Sequence, residues 1–252
     1  MFFNYHTHTK RCNHAVGNER EYVEHAIQGG LKILGISDHA PYLFGDSEYY
    51  SYFRMQVDEL FDYAETVRAL QKEYEKDIRI LLGFELEYYP EFHEREMAYL
   101  KQVRPDYLIL GQHLLNNELD QVITTKLTTD EQLSAYVTQT LQGLETGDFL
   151  YLAHPDLPGY RFSDEAIERE YRRLCEGAKK LHIPLELNML GIRAKRHYPN
   201  ERFYKIAKEV GNEIIIGSDA HDPIHVADPF SESVALTMVA SLGLNLIKKP
   251  LL

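Results

Sequence analysis

The feature that most constrains this sequence is a rhythm of short apolar run, polar loop and amphipathic helix that recurs along the whole chain. The runs are Phe2–Tyr5, Ile33–Ser37, Ile78–Phe84, Tyr107–Gly111, Phe149–Ala153, Pro184–Leu187 and Glu213–Gly217. Each is rich in Ile, Leu or aromatic residues, as a strand buried on both faces requires. The helical stretches between and after them are Glu19–Gln28, Phe53–Glu75, Glu94–Val103, Asp130–Leu144, Asp164–Leu181, Glu201–Val210 and Ser231–Leu242. In Phe53–Glu75 the apolar positions Val57, Leu60, Phe61, Ala64, Val67 and Leu70 follow the helical period. Gly29-Gly30 stops the first helix, while Thr129 or Asp130, Ser163 and Ser231 supply N-caps. Strand alternating with helix implies an α/β fold with a mainly parallel sheet. Seven such units without a change of pattern favour a closed or nearly closed barrel. No Pro/Gly/Ser linker, low-complexity tract or charge block interrupts residues 1–252, which read as a single domain.

The ionisable residues that stand out fall where these runs end. His6 and His8 end the first, His39 follows the second in Ser37-Asp38-His39, and Glu85 ends the third. His113 ends the fourth, His154 the fifth in His154-Pro155-Asp156, and Asp219 and His221 the seventh. In parallel α/β barrels the active site is built at the C-terminal rim of the strands. Core packing gives no reason for ionisable groups to recur there. An HxH pair in extended chain puts both imidazoles on one face, and a carboxylate closing an apolar strand is costly without a partner. Asp219-x-His221 offers a hard oxygen and an imidazole together, a set suited to Zn, Fe or Mn.

His14 lies in a loop and carries no strand-end argument; with it, seven histidines plus Glu85 and Asp219 make nine candidate ligands. A catalytic zinc takes about three protein ligands, so the set implies two or three divalent ions and at least one bridging carboxylate. Clustered divalent ions generate hydroxide and clamp phosphoryl oxygens, the chemistry of phosphoester hydrolysis without a covalent nucleophile from the protein.

In this order His6-Thr7-His8-Thr9, His14, Ser37-Asp38-His39, Gly83-x-Glu85, His113, Ala153-His154-Pro155-Asp156 and Gly217-Ser218-Asp219-Ala220-His221 resemble the polymerase and histidinol phosphatase (PHP) superfamily. The opening HTHT…CNHA and SDHAPY resemble its histidinol-phosphatase branch in particular. The resemblance implies a distorted (β/α)7 barrel with a trinuclear site at the C-terminal rim. It implies hydrolysis of L-histidinol phosphate to L-histidinol in histidine biosynthesis, by attack of a hydroxide held between ions. It assigns His6, His8, Glu85 and Asp219 to a first ion, His14, His39 and His221 to a second, and Glu85, His113 and His154 to a third. Glu85 is then the bridge, and Asp219 manages the proton on the water or leaving oxygen. Arg161 and Arg193, in rim loops, resemble the phosphate-gripping arginines of the family, with Arg196 and Lys195 as alternatives and Asn188 orienting a ligand or water. An arginine fork suits phosphate better than lysine, although loop arginines are also ordinary surface residues.

Other conspicuous residues have plainer readings. His25, His93 and His182 read as structural or exposed, Cys12 as a bystander, and His197 and His225 as outside candidates for substrate contact. The tyrosines of Tyr42–Tyr52 form either a wall that stacks on imidazole or an apolar cover.

Composition narrows the function class. With 27 Lys and Arg against 39 Asp and Glu the formal charge is −12, which argues against a nucleic-acid partner. Bound cations would still draw in a phosphorylated small molecule. Two separated cysteines, Cys12 and Cys175, and an opening MFFNYHTHTKRCNH without a long apolar stretch point to a cytoplasmic protein with reduced thiols and no membrane span. The competing functions are the same chemistry on a phosphotyrosine protein, a nucleotide or a nucleic-acid end, and an inactive metal-binding regulatory domain. A complete ligand set argues against the last.

Overall fold

The computed structural model describes residues 1–45 and 49–252; positions 46–48, within the tyrosine-rich loop, lie outside the described residues. In chain order the main elements are β1 (Phe3–Asn4), α1 (Glu19–Gln28), β2 (Ile33–Ile36), α2 (Leu60–Glu73), β3 (Arg79–Leu86), α3 (His93–Leu100) and β4 (Tyr107–Leu110). A hairpin follows, β5 (Leu114–Leu115) with β6 (Val122–Ile123), then α4 (Asp130–Glu145), α5 (Asp164–Lys180), β7 (Leu185–Asn188) and α6 (Met189–Arg193). The chain ends with α7 (Glu201–Val210), β8 (Glu213–Gly217), α8 (Pro229–Leu242) and β9 (Asn245–Leu246). Contacts divide these into two compact units: Met1–Leu86, Glu91–Ile109 and Gly217–Phe230 in one, and Glu87–Pro90, Leu110–Ile216 and Ser231–Leu252 in the other.

The first unit is organised by the sheet β1-β2-β3-β4. Its parallel registers pair Phe3 with Ile33 and Ile33 with Arg79, through Ile36 with Leu82. Helices α1 and α2 bury Tyr22, Val23 and Ala26, and Tyr63, Val67 and Leu70. Full burial of a large apolar side chain contributes roughly 1.5–3 kcal/mol, so these stripes hold the helices in place. The Tyr107 hydroxyl donates to the Tyr5 carbonyl at 2.6 Å, and its ring lies over Gly35 and Gly83. A Cβ there would come within 2.0 Å and 2.3 Å of Tyr107 atoms, which explains glycine in the middle of two strands. After β8 the chain lies beside the end of β1: Thr7 bridges Ala220, and His8 N–H donates to the Ala220 carbonyl at 2.9 Å. That register brings Asp219 and His221 to the HxH pair.

In the second unit Leu152 forms parallel bridges with Leu110 and with Leu185, and β8 lies between β7 and β9, pairing parallel with β9. Helix α5 packs against α4 and α7.

The parallel α/β class expected from the sequence holds. Six of the seven expected runs form strands, but Phe149–Ala153 contributes only the bridge at Leu152. His154 turns the chain into the left-handed region, φ 29°, and so ends the extension at once. The short pairings β5–β6 and β9 were not legible in the pattern. Helix α2 begins at Leu60 rather than near Phe53, after a 3-10 turn at Val57–Glu59. Arg54, buried among these residues, donates to the Ala40 carbonyl at 2.9 Å and lies over the Phe53 and Tyr42 rings, which holds the preceding chain out of the helix. Thr129 and Ser163 cap α4 and α5 as expected. Ser231 does not cap α8, because that helix already starts at Pro229 and buries Ser231 inside it.

Candidate metal centre

In the first unit four side chains converge from three strand ends. His6 Nε2 lies 3.1 Å from His8 Nε2. Glu85 Oε2 is 3.4 Å from the first and 3.3 Å from the second, and Asp219 Oδ1 is 3.6 Å and 3.4 Å from the same two atoms. A tetrahedral ion with ligand bonds of about 2.1 Å has donor atoms roughly 3.4 Å apart along each edge. The observed separations are those of such a ligand set, and all four groups are buried. Asn4 builds this corner: its Oδ1 accepts from the His6 and Ser218 backbone N–H groups at 3.2 Å and 3.0 Å, and its Nδ2 donates to Thr7 Oγ1 at 2.7 Å. Asp219 sits at φ 47°, a conformation that non-glycine residues adopt at a cost and that gathers at functional sites.

A second set adjoins it in the same unit. The ligand atoms of His8, His39 and His221 lie within 4.8 Å of one another, as do those of Cys12, His14 and His221. His39 is placed by its backbone bridge to Glu85, with Nδ1 3.2 Å from Glu85 Oε2. His221 Nε2 faces His14 Nε2 at 3.0 Å. His14 Nδ1 donates to the Cys12 carbonyl at 2.8 Å; a carbonyl only accepts, so Nε2 keeps the lone pair that a metal needs. Asp38 ties the loops together, accepting from the Thr9 backbone N–H at 3.0 Å, the Thr9 hydroxyl and the His39 N–H at 2.9 Å.

The imidazoles and carboxylates of the metal-free chain titrate unevenly. Burial by itself lowers the His8 imidazole, yet hydrogen bonding to Asp38 and Glu85 raises it to about 9. Burial would raise the Asp219 carboxyl, but His6, His221 and His8 hold it well below the usual carboxylate range. His14 is lowered to about 4 by desolvation of its ring and by His221 and His8, and His221 is lowered by burial and His8. These last two are therefore neutral near pH 7, the form that ligates. Burial pushes the Cys12 thiol far up in the metal-free chain.

In the second unit the His113 and His154 rings stand 4.8 Å apart. His113 Nδ1 lies 2.7 Å from Glu87 Oε1. His154 is fixed through its backbone, its N–H donating to Glu186 Oε2 at 3.0 Å. Asn188 Nδ2 donates to the same oxygen at 2.8 Å, and its Oδ1 accepts from Gly191 N–H at 3.0 Å, capping α6. Asp156, pushed up to about 7 by burial, accepts from Asn200 N–H at 2.8 Å and the Tyr160 hydroxyl at 3.2 Å. Arg161 is exposed and donates to the Thr125 carbonyl. Arg193 closes α6 half-buried, and Arg196 is exposed with Nη1 2.6 Å from the Tyr198 hydroxyl.

Against this geometry the PHP domain family model matches residues 4–190 of the chain. The chain belongs to the PHP family. The match stops short of Asp219 and His221, which the structure brings to His6 and His8 by the pairing of Thr7 with Ala220. Among PHP relatives, a Deinococcus radiodurans protein provisionally named histidinol-phosphatase is 27% identical over 246 residues, covering 91% of this chain and 90% of its own. A Listeria monocytogenes structure provisionally assigned as a histidinol phosphatase superposes with a TM-score of 0.74 at 22% identity, over 91% of this chain and 99% of that one. The histidinol phosphate phosphatase of Lactococcus lactis, solved with zinc, L-histidinol and phosphate, superposes with a TM-score of 0.71 at 18% identity, over 97% and 95%. At these identities the likeness to the solved structures is one of fold, and it is the α/β fold of the PHP histidinol phosphatases.

Of the remaining histidines, His93 is buried at the start of α3, His182 is exposed, and His25 Nδ1 bonds the Glu21 carbonyl. His197 Nε2 donates to the Leu157 carbonyl and the His225 carbonyl accepts from the Ser218 hydroxyl. Sequence reasoning missed Asn4, Glu87 and Glu186. The two acids had a signal: each is an acid at the end of an apolar strand, two residues from a polar residue already singled out, and hence on its face.

Proposed function

We propose that this chain is a divalent-metal-dependent phosphomonoesterase that hydrolyses L-histidinol phosphate. The observation that carries the reading is the set of donor separations, 3.1–3.6 Å, among His6, His8, Glu85 and Asp219. Two imidazoles and two carboxylates at such distances offer nitrogen and oxygen donors at the spacing of one coordination shell, so the residues present fit divalent ions. His6, His8, Glu85 and Asp219 would hold one, and His14, His39 and His221 another. The family resemblance carries His113 and His154 to a third, for a total of two to three Zn, Fe or Mn ions. Such ions supply water acidity at neutral pH and charge for phosphoryl oxygens.

The chain's own groups do the rest. Asp219, ionised at the outset, takes the proton released from water and passes it to the leaving oxygen. Glu85, which the family resemblance makes the bridge, has its Oε2 near His6, His8 and His39. Arg161 and Arg193 grip the phosphoryl group, with Arg196 in reserve. Asn188 caps the α6 turn that carries Arg193 and orients a ligand or water beside it. The names and ligands of the D. radiodurans and L. lactis relatives support histidinol phosphate as the ester.

Steady-state kinetics on metal-loaded protein with histidinol phosphate, phosphotyrosine, nucleoside monophosphates and a phosphodiester tests this. The expected result is a kcat/KM for histidinol phosphate well above the others. Preference for any other ester assigns the site to that substrate, and no hydrolysis of any ester leaves a metal-binding regulatory domain.

A further inference from the structure

Buried behind His113 is a carboxylate that the nine-ligand set leaves out. Glu87 is fully buried, and its Oε1 lies 2.7 Å from His113 Nδ1. Glu87 follows directly on β3, two residues after Glu85. We propose that Glu87 is a positioning residue: it holds the proton of His113 on Nδ1 and so presents Nε2, with its lone pair, to a metal ion. The inference rests on the reading of His113 as a ligand.

The pairing is built into the fold. The residues next in sequence to the pair are joined as well: Tyr88 N–H donates to Gln112 Oε1 at 3.1 Å. On the other side of Tyr88, its carbonyl accepts from Gln139 Nε2 of α4 at 2.7 Å. The His113 main chain is held by the hairpin, its carbonyl accepting from Thr124 N–H at 2.8 Å, while the Thr124 hydroxyl donates to the Gln112 carbonyl at 2.9 Å. Gly143 of α4 lets the segment close, because a Cβ there would lie 2.7 Å from the Tyr88 Cβ. The chain directly after Glu87 and the main chain at Gln112 and His113 are thus both held, which fixes the two residues that carry the contact.

The chemistry follows from that contact. An ionised carboxylate only accepts, so at hydrogen-bond distance His113 Nδ1 must carry the hydrogen. In neutral imidazole the other nitrogen is then the base, and the hydrogen bond makes it a stronger donor to a cation. Free histidine prefers the opposite tautomer, with the proton on Nε2, in which form Nε2 ligates nothing. Without Glu87 the His113 ring would also lose its fixed rotation. The effect on metal affinity expected of such a partner is a factor of about 10–100.

The test uses the full chain, stripped of metal and labelled with 15N at histidine, with His113→Ala to assign its signals. Long-range 1H–15N correlation spectra above neutral pH should show His113 protonated at Nδ1 and unprotonated at Nε2. In Glu87→Leu this preference should be lost. In Glu87→Gln, whose amide oxygen still accepts, it should persist. Competition with a chromophoric chelator should show one Zn or Mn ion per chain bound about 10–100-fold more weakly in Glu87→Leu, with less loss in Glu87→Gln. If Glu87→Leu fails to fold, the wild-type spectrum still decides: an Nε2-protonated His113 overturns the proposal. So does a Glu87→Leu protein with the wild-type tautomer and wild-type affinities. A wild-type protein with the Nδ1 tautomer that binds no metal instead overturns the metal-centre reading and leaves the pairing of Glu87 with His113 standing.

Discussion

Stripping the metal and raising the pH from about 7 to about 9 tests the electrostatics of the first unit through one imidazole. In the metal-free protein burial works against the His8 cation, but Asp38 and Glu85 raise His8 to about 9. Near pH 7 the empty ligand set therefore stores a proton where a divalent ion belongs. An ion that takes His8 Nε2 must expel that proton, so its apparent affinity should rise about tenfold per pH unit until about pH 9 and flatten above it. Across that interval the gain is about a hundredfold, or about 2.7 kcal/mol. His14, at about 4, and His221, also lowered, are already neutral and add no protons. The stability of the metal-free chain should run the other way. The folded value for His8 lies above its ordinary 6.5, so its stabilisation is complete below that pH and is lost as the pH rises through about 9. That loss is on the order of 3 kcal/mol for a fully buried group. Isothermal titration of the chelated protein with Mn or Zn, in buffers of different ionisation heat, counts the protons released. Thermal unfolding of the same samples reads the stability. Affinity that stays flat between pH 7 and 9, with no proton released, would refute the reasoning.

Glu85→Gln should lower both metal content by elemental analysis and turnover by several powers of ten; near-native values for both would remove Glu85 from the shared position. Arg161→Ala and Arg193→Ala should each lower kcat/KM about ten- to a hundredfold with metal content unchanged, since a charge-assisted contact is worth about 1.5–3 kcal/mol. Lysine should restore only part of the loss, because it returns the charge without the fork, and wild-type kinetics would make both ordinary surface arginines. Gly35→Ala would place a Cβ 2.0 Å from the Tyr107 hydroxyl and should lower the unfolding midpoint of the metal-free chain by several degrees. An unchanged midpoint would mean that the Tyr107 ring yields without cost.

Much of the candidate site was legible because its residues are acids and imidazoles that end apolar runs, where only a cation or a strong partner justifies them. That ground put Asp219, His221, His6 and His8 on one rim, the family resemblance grouped Asp219 with His6 and His8, and the pairing of Thr7 with Ala220 brings the chain after β8 beside them. His14 was different: its place depends on the turn that aims Nε2 at His221, and nothing in its local pattern says so. Asn4 was illegible for a similar reason, since its amide acts across 214 residues on Ser218. In the fold, apolar runs marked strands well, but the run at Phe149–Ala153 could not reveal that His154 would leave the extended region directly after it. The start of α2 was misread because helical periodicity cannot see Arg54, whose buried guanidinium anchors the chain before the helix. Ser231 had the composition of a cap, yet Pro229, suited to the first turn of a helix, already begins α8.

The central claim is that ions gathered by His6, His8, Glu85, Asp219 and their neighbours make this chain a phosphatase. The most direct measurement titrates chelated protein with Zn or Mn while bound metal per chain and hydrolysis of histidinol phosphate are followed on the same sample. Activity should be absent from the stripped protein and appear as two to three ions bind per chain. Hydrolysis that persists in the stripped protein, or binding that saturates at or below one ion, would contradict it.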